Sequence, residues 1–521
     1  MTNNTVFTAP HFLAAQTGQQ ILDAGGNACE AMVAAAAMVA VQYPHMNSLG
    51  GDSFWLIAKP GQAPIAIDGS GCAALSVDPE NYPQGSLPDS GAEAAVTMAG
   101  TVAAWQQALA VGGGDLPVSE LLAPAIVSAR NGISVTKSLQ AASEKTYSRL
   151  ADIRSFAKLY LPNGRPLKEG ELLQNPALAE TLKTLGEQGL DSFYRGDIAQ
   201  KLAEDLAKQG SPLSIGDFAR FDAEVKAPLS VETDKGKLFN FGAPTQGLAS
   251  LLILAIYDRL AHQAQSEADH VHLLVEATKQ AFLVRDAEVC DEEHLRVPLD
   301  EFLAPHKVEK MAAAVDLHRA LPWPHVAKPG DTVWMGAVDK DGTMVSFIQS
   351  VYWEFGSGCV SPSTGVLWNN RALSFSLDKT HHNYLEPGKK PFHTLNPAYA
   401  ELSDGRRMVY GTMGGEGQPQ TQACLFSRYL YQNFSLQDAI AEPRWLLGRT
   451  WGDDTHQLRL EESLSERIGH DLILRGHDIT QVNDCNELMG HAGAAVLSID
   501  GTCEASSDPR SDGIATKGEV K

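Results

Sequence analysis

The rhythm of apolar and polar positions changes near the middle of this chain. Residues 28–43 are apolar almost without a break, with Asn27 before them and Pro44 after them. Asn accepts hydrogen bonds from the free N–H groups that open a helix, and Pro cannot continue one. The pattern therefore predicts a buried helix over 28–43. A Gly-containing loop, Pro44 to Asp52, then feeds predicted strands over 53–58 and 64–68. Residues 100–225 read as mostly helical, with Gly112-Gly113-Gly114 and Pro162-Asn163-Gly164 as surface turns. A strand near Leu238 precedes predicted helices over 248–260 and 268–282. Residues 291–330, rich in Pro and charge, are expected to be extended and exposed. There the texture changes. The loop Lys328-Pro329-Gly330 leads to Thr332, which opens an alternating run ending at Asp339-Lys340-Asp341-Gly342. A second run goes from Thr343 to Tyr352, so a β-hairpin is predicted. Helices near 418–434 and 462–475 and a last strand over 493–499 follow, with no internal repeat. A helix-rich first part and a strand-rich second part that share a sheet stack, with helices outside, make a layered α/β fold.

Composition narrows the function. The 521 residues are 44% apolar and 20% charged, as in a soluble globular protein with a large core. A net charge of −22 without any Lys/Arg run argues against a nucleic-acid partner. The longest apolar run, 31–41, falls short of the roughly 20 residues a membrane span needs, so no membrane partner is expected. Met1-Thr2-Asn3-Asn4-Thr5 lacks a basic stretch followed by an apolar one, and a cytoplasmic location is expected. Seven widely spaced cysteines without a CxxC pair fit reduced thiols better than a disulfide framework or a zinc site.

The chain has no G-x-S-x-G, no H-E-x-x-H, no P-loop and no strand followed by GxGxxG. Gly414-Gly415-Glu416-Gly417 lacks the spacing of a nucleotide loop. His381-His382, near Asp378, has no third ligand at metal-site spacing, so no metal is expected. Thr332 alone is an ordinary first residue of a strand. It gains chemistry if the bond before it is cut, because its hydroxyl and a free α-amine then share one residue. That pair is a nucleophile with its own base.

Several segments, in order, resemble the γ-glutamyltransferase family of N-terminal nucleophile hydrolases. They are Asp23-Ala24-Gly25-Gly26-Asn27-Ala28, Pro44 to Gly51, Met98-Ala99-Gly100-Thr101-Val102, Leu116-Pro117 through Pro124-Ala125-Ile126 and Gly132, and Phe193-Tyr194-Arg195-Gly196. Thr332 to Gly342, Phe355-Gly356-Ser357-Gly358, Asn369-Asn370 and Met413-Gly414-Gly415 complete the series. The resemblance implies an αββα sandwich built from both halves of a self-cleaved precursor. It places the cut between Asp331 and Thr332, giving a large subunit 1–331 and a small subunit 332–521. It implies Thr332 as nucleophile, the backbone N–H groups of Gly414 and Gly415 as oxyanion donors, and Ser350 where the family carries a second Thr that orients the nucleophile. No cofactor is implied. A heterodimer of the two subunits, or a pair of such heterodimers, is a family expectation.

The chain departs from the γ-glutamyl pattern where the substrate should be held. Ser70 stands where the family has an Arg, Tyr352 where it has an Asn, and Arg371 and Ser374 where it has Gln and Asp. His393-Thr394 replaces a Ser-Ser pair. Loss of an acid at 374 removes the partner of a substrate ammonium, and Arg371 brings a carboxylate fork to a new place. Tyr352 and Trp353 add bulk beside the nucleophile. These departures resemble a divergent branch of the family. They imply a small amide bearing a carboxylate, with oxamate as the leading candidate. A glutathione hydrolase or acylase with a longer substrate, and an uncleaved binding or scaffold relative, remain open at this point.

Overall fold

Side chains alternate along a strand, and here that alternation sorts the chain into four layers. The computed structural model describes residues 5–82, 85–323, 331–448 and 456–518. One antiparallel sheet has the order Ile514–Lys517, Val6–Ala9, Asp331–Val338, Met344–Tyr352, Asp52–Ala58, Ile65–Ala73, Thr97–Ala99, with Glu224–Lys226 also on Ile65–Ala73. The other has the order Cys503–Ser507, Ala492–Leu497, Arg407–Thr412, Ala398–Leu402, Gly236–Asn240, Leu229–Thr233. Phe54, Leu56, Trp334, Val338 and Ile348 of the first sheet meet Phe239, Tyr399, Val409 and Ala495 of the second in one buried cluster. Their sequence neighbours point the other way. Val333, Met335, Trp55 and Phe347 pack under the helices of the first 225 residues. Leu238, Ala400, Met408 and Ala494 pack under helices Gly247–Leu260, Glu267–Glu288, Gln418–Leu430 and Glu462–Leu474. The result is helix, sheet, sheet, helix, the αββα arrangement expected.

Trp334 holds the two sheets at this spacing. Its indole lies where a Cβ on Gly411 or Gly493 of the facing sheet would stand, at 2.2 and 2.5 Å, so both positions need glycine. Its Nε1 donates to Ser346 Oγ at 3.0 Å. The hairpin pairs in register from Val333 opposite Gln349 to Val338 opposite Met344. At its turn the Asp339 carboxylate accepts from Ala28 N at 3.0 Å, which ties the hairpin to the start of helix Ala28–Gln42. Asn27 and Glu30 form a capping box at that helix start, and every residue of the helix is buried.

Three expectations change. Residues 291–323 are not extended: they hold turns Glu292–His294 and Leu299–Leu303 and a helix, Pro305–Ala313, whose Val308 and Ala312 are buried. Pro305 sits in the first helical turn, where a missing N–H costs nothing. Lys328-Pro329-Gly330 lies outside the described residues. The strand near 493–499 is not the last, because Cys503–Ser507 and Ile514–Lys517 follow it as short polar strands. The helix expected over 268–282 runs on to Glu288. Among the described residues, no helix is long and apolar enough to cross a membrane.

Candidate active site

Thr332 shares the inter-sheet face with Trp334, at the end of the strand Asp331–Val338. It is fully buried. Asp331 pairs with Tyr352 and Val333 with Gln349, so one residue on this strand faces two, Ser350 and Val351, on the next. That is a β-bulge, a device that re-aims side chains beside a site. Ser350 is opposite Asp52 in the following strand, and its hydroxyl accepts from Tyr352 N at 2.8 Å. Tyr352 has φ +84, a strained value for a residue with a bulky side chain.

The facing sheet contributes a glycine turn. Strand Arg407–Thr412 ends, Met413 to Gly417 turn, and helix Gln418–Leu430 begins. Gly414 and Gly415 have φ +122 and +53, left-handed values that a side chain disfavours. The helix start approaches Thr332. Gln418 Nε2 lies 3.5 Å from Thr332 Oγ1, while its Oε1 accepts from Asn396 Nδ2 at 3.0 Å, which fixes which end of the amide faces Thr332. A helix N-terminus and a turn of backbone N–H groups together favour developing negative charge.

Beside this lies a buried charged pocket. Arg371 is fully buried, its guanidinium stacked on the Tyr352 ring at 3.9 Å. Its Nη1 donates to Thr394 Oγ1 at 3.3 Å, and its Nε lies 3.8 Å from Asp52 Oδ2. Its Nε and Nη2 have no hydrogen-bond partner. Burial lowers Arg371 to about 10, still charged at neutral pH. Burial pushes Asp52 up to about 7, against the pull of Arg371 and the N–H of Gly71. His393 Nε2 meets Asp52 Oδ2 at 3.1 Å, and its Nδ1 accepts from Leu395 N, which leaves the ring proton on Nε2. Burial holds His393 well below its usual range, so it is neutral. Ser374 closes the short turn Arg371–Ser374 and is buried.

The residues singled out from sequence thus converge: Thr332, Ser350 and Tyr352 from the hairpin, Arg371 and Ser374 from one turn, His393-Thr394 and Gly414-Gly415 from the facing layer. The glycine motifs explain part of that convergence. Gly51 O accepts from Gly100 N and Thr101 N, and Asn369 Nδ2 donates to Gly50 O at 2.9 Å. Asn369 Oδ1 in turn accepts from Arg371 N at 3.0 Å, so three distant motifs fix the backbone from which Arg371 projects. Ser70 has a different occupation, donating to Asp68 Oδ1 at 2.5 Å, and Asp68 pairs with Lys390 at 2.8 Å.

Sequence reasoning gave no role to Asp52, Gln418, Gln246 or Arg285. Asp52 directly follows Gly50-Gly51, and Gln418 directly follows Gly414 to Gly417; that adjacency was the available signal. A cavity of about 240 Å³ adjoins the site at Ser374 and is lined also by Arg285, His382, Phe392 and Glu416 among others. The stacked His381 and His382 rings line the same cavity. A larger cavity, about 670 Å³, is lined by none of the site residues. Among the described residues one group has metal-like geometry, His272, Glu276 and His477. Its atoms are already engaged: His272 bonds His477 and the Asp316 carbonyl, and Glu276 accepts from Lys279 and Leu321 N.

Comparison with known proteins places the whole chain in one family. A sequence profile of gamma-glutamyltranspeptidase matches residues 14–518. The chain is 49% identical to the oxamate amidohydrolase proenzyme of Klebsiella pneumoniae, over 97% of each chain. It is 37% identical to the glutathione hydrolase-like YwrD proenzyme of Bacillus subtilis, again over 97% of each. The crystal structure of cephalosporin acylase from Bacillus halodurans superposes with a TM-score of 0.90 at 30% identity, covering 98% of this chain and 95% of that one.

Proposed function

This chain belongs to the gamma-glutamyltranspeptidase family and is a hydrolase made as a self-processing proenzyme, and from that premise we propose that it hydrolyses oxamate to oxalate and ammonia. Maturation begins when Thr332 Oγ attacks the Asp331 carbonyl. The peptide C–N bond breaks in an N-to-O acyl shift, and water hydrolyses the ester. The products are 1–331 and 332–521, and Thr332 gains an α-amine. That amine has a pKa of about 8 when unperturbed, so near neutrality part of it is free to take the Oγ proton.

In the substrate cycle Thr332 Oγ attacks the amide carbonyl. Charge collects on the carbonyl oxygen, and the N–H groups of the Gly414-Gly415 turn receive it; one such donor is worth about 3 kcal/mol. The C–N bond breaks, and ammonia leaves with the proton that Thr332's amine had taken. Water then attacks the oxalyl ester, again with the amine as base, and releases oxalate. Ser350 supports the geometry of the hairpin end that carries Thr332.

The observation that carries the choice of substrate is the buried Arg371 with two N–H-bearing atoms, Nε and Nη2, that make no hydrogen bond. A carboxylate can take both, as arginine's fork prefers. In oxamate the carboxylate adjoins the scissile carbonyl, which suits a receptor held beside the nucleophile's hairpin by Tyr352 and Thr394. His393, neutral and bonded to Asp52, walls the pocket without adding charge. The Klebsiella relative, named for oxamate, supports the reading. The test is ammonia release from oxamate, glutathione and a glutaryl amide, with intact-mass detection of acyl groups on the small subunit. Release from oxamate is expected. No ammonia from oxamate, with acylation by a longer amide, would move the substrate to a glutathione- or acylase-type compound.

A further inference from the structure

Oxyanion donors on glycine have no side chains to hold them, so something else must set their direction. The Gly414 carbonyl accepts from Gly417 N at 2.8 Å. A planar peptide fixes its N–H opposite its carbonyl, so this bond aims the N–H of Gly415. The Gly415 carbonyl accepts from Gln246 Nε2 at 2.8 Å, which fixes the next peptide plane. Gln246 is fully buried, and its Oε1 accepts from Arg285 Nη1 at 3.0 Å. Arg285 Nη2 reaches the same turn by a second route, donating to Glu416 Oε2 at 2.7 Å. Its Nε is held by Asp286 at 2.7 Å, and its guanidinium lies 3.8 Å over the Phe282 ring.

We infer that Arg285 is a positioning residue for catalysis, gripping the oxyanion turn through Gln246 and Glu416 at once. The inference rests on the reading of Gly414 and Gly415 as oxyanion donors. Arg285 belongs to the segment before Thr332 and Glu416 to the segment after it, so the grip crosses the proposed cut. The same Gln246 amide also donates to the Thr394 carbonyl at 2.7 Å. Thr394 Oγ1 accepts from Arg371. One side chain therefore links the oxyanion turn to the Thr394 backbone, beside the substrate carboxylate's receptor. A buried ion pair is weak evidence for stability alone, because desolvation offsets its attraction. Two directed bonds onto one catalytic turn are what a positioning role requires.

Such a role predicts a split between kcat and KM. In Arg285→Met the turn loses its Glu416 tether and Gln246 loses the bond that braces it, while the substrate carboxylate keeps Arg371. With rates normalised to the amount of Thr332 that a substrate amide acylates, kcat is expected to fall about 100-fold, the cost of displacing a reacting geometry by about 1 Å, with KM nearly unchanged. Glu416→Gln keeps shape and an acceptor oxygen but loses the charge, and a fall of about threefold to tenfold is expected. Combining Arg285→Met with Glu416→Met should be no worse than Arg285→Met alone, since the two act as a unit. A structural role would lower the folded fraction and the melting temperature and leave kcat per acylated site untouched; that result in Arg285→Met overturns the inference. If Arg285→Met does not fold, an unchanged kcat in Glu416→Gln overturns it instead. Failure of the wild type to acylate at Thr332 would sink the underlying reading and this inference together. Normal acylation with unmoved variants would sink the inference alone.

Discussion

Replacing Arg371 by Met tests the substrate pocket directly. Met matches most of the length and removes the fork. The guanidinium offers Nε and Nη2 to an incoming carboxylate, in a site with no exposed surface. Truncating one partner of a buried, hydrogen-bonded charge pair costs about 2 to 5 kcal/mol. At about 1.4 kcal/mol per decade, kcat/KM for oxamate should fall between roughly 30-fold and 4,000-fold. Folding should suffer less. The stacking on Tyr352 is worth about 0.5 to 2 kcal/mol. Asp52, already raised to about 7, can answer the lost cation by keeping its proton. Oxamide is the control, since it has the same length and no charge. Wild type should prefer oxamate strongly, and Arg371→Met should lose that preference through the oxamate arm alone. Arg371→Lys should fall between, because a point charge keeps attraction without the bidentate geometry. Steady-state ammonia release on processed enzyme gives the value for each enzyme on each amide. A processed Arg371→Met enzyme that still discriminates oxamate from oxamide as wild type does would refute the argument.

Thr332→Ala should remain a single chain and Thr332→Ser should still divide, more slowly, as read by denaturing gels and by sequencing the new N-terminus. Asp52 should make KM depend on pH: below about 7 it is protonated and Arg371 is free for an anion, above it the Asp52 carboxylate competes, so KM for oxamate should rise with pH. Asp52→Asn should remove that rise. The folded chain keeps this proton up to about 7 whereas an unfolded Asp loses it near 3.8, so the folded state binds more protons in that window and this group's contribution to stability declines as pH increases. Asp52→Asn should flatten that slope in urea unfolding at several pH values. Trp334→Ala, measured in a Thr332→Ala background to keep one chain, should cost about 3 to 5 kcal/mol, because no residue on the facing Gly411 and Gly493 can fill the space.

Local signals were legible where chemistry is local. The hairpin showed because its turn, Asp339 to Gly342, is brief and polar between two apolar runs. Helix Ala28–Gln42 showed because a cap and a proline bracket it. Arg371 and Tyr352 stood out as departures from a motif series. Asp52, Gln246 and Arg285 did not, because their meaning lies in partners far along the chain: Asp52 with Arg371 and His393, Arg285 with Gln246 and Glu416. The segment after 291 was misread because proline and charge hide a helix that buries only a narrow edge, Val308 and Ala312. The final two strands were missed because Cys503-Glu504-Ala505-Ser506-Ser507 carries little hydrophobic alternation.

The order of strands around Asp331–Val338 has a consequence for the two-piece enzyme. Val6–Ala9 lies between Asp331–Val338 and Ile514–Lys517, while Asp52–Ala58 flanks the hairpin on its other side. With the proposed cut before Thr332, each product is woven through the other, sharing ladders on both sides of Thr332 and again where Ala398–Leu402 meets Gly236–Asn240. Parting them means tearing both sheets, so dilution should not release free subunits, and separately made halves should not reassemble by simple mixing.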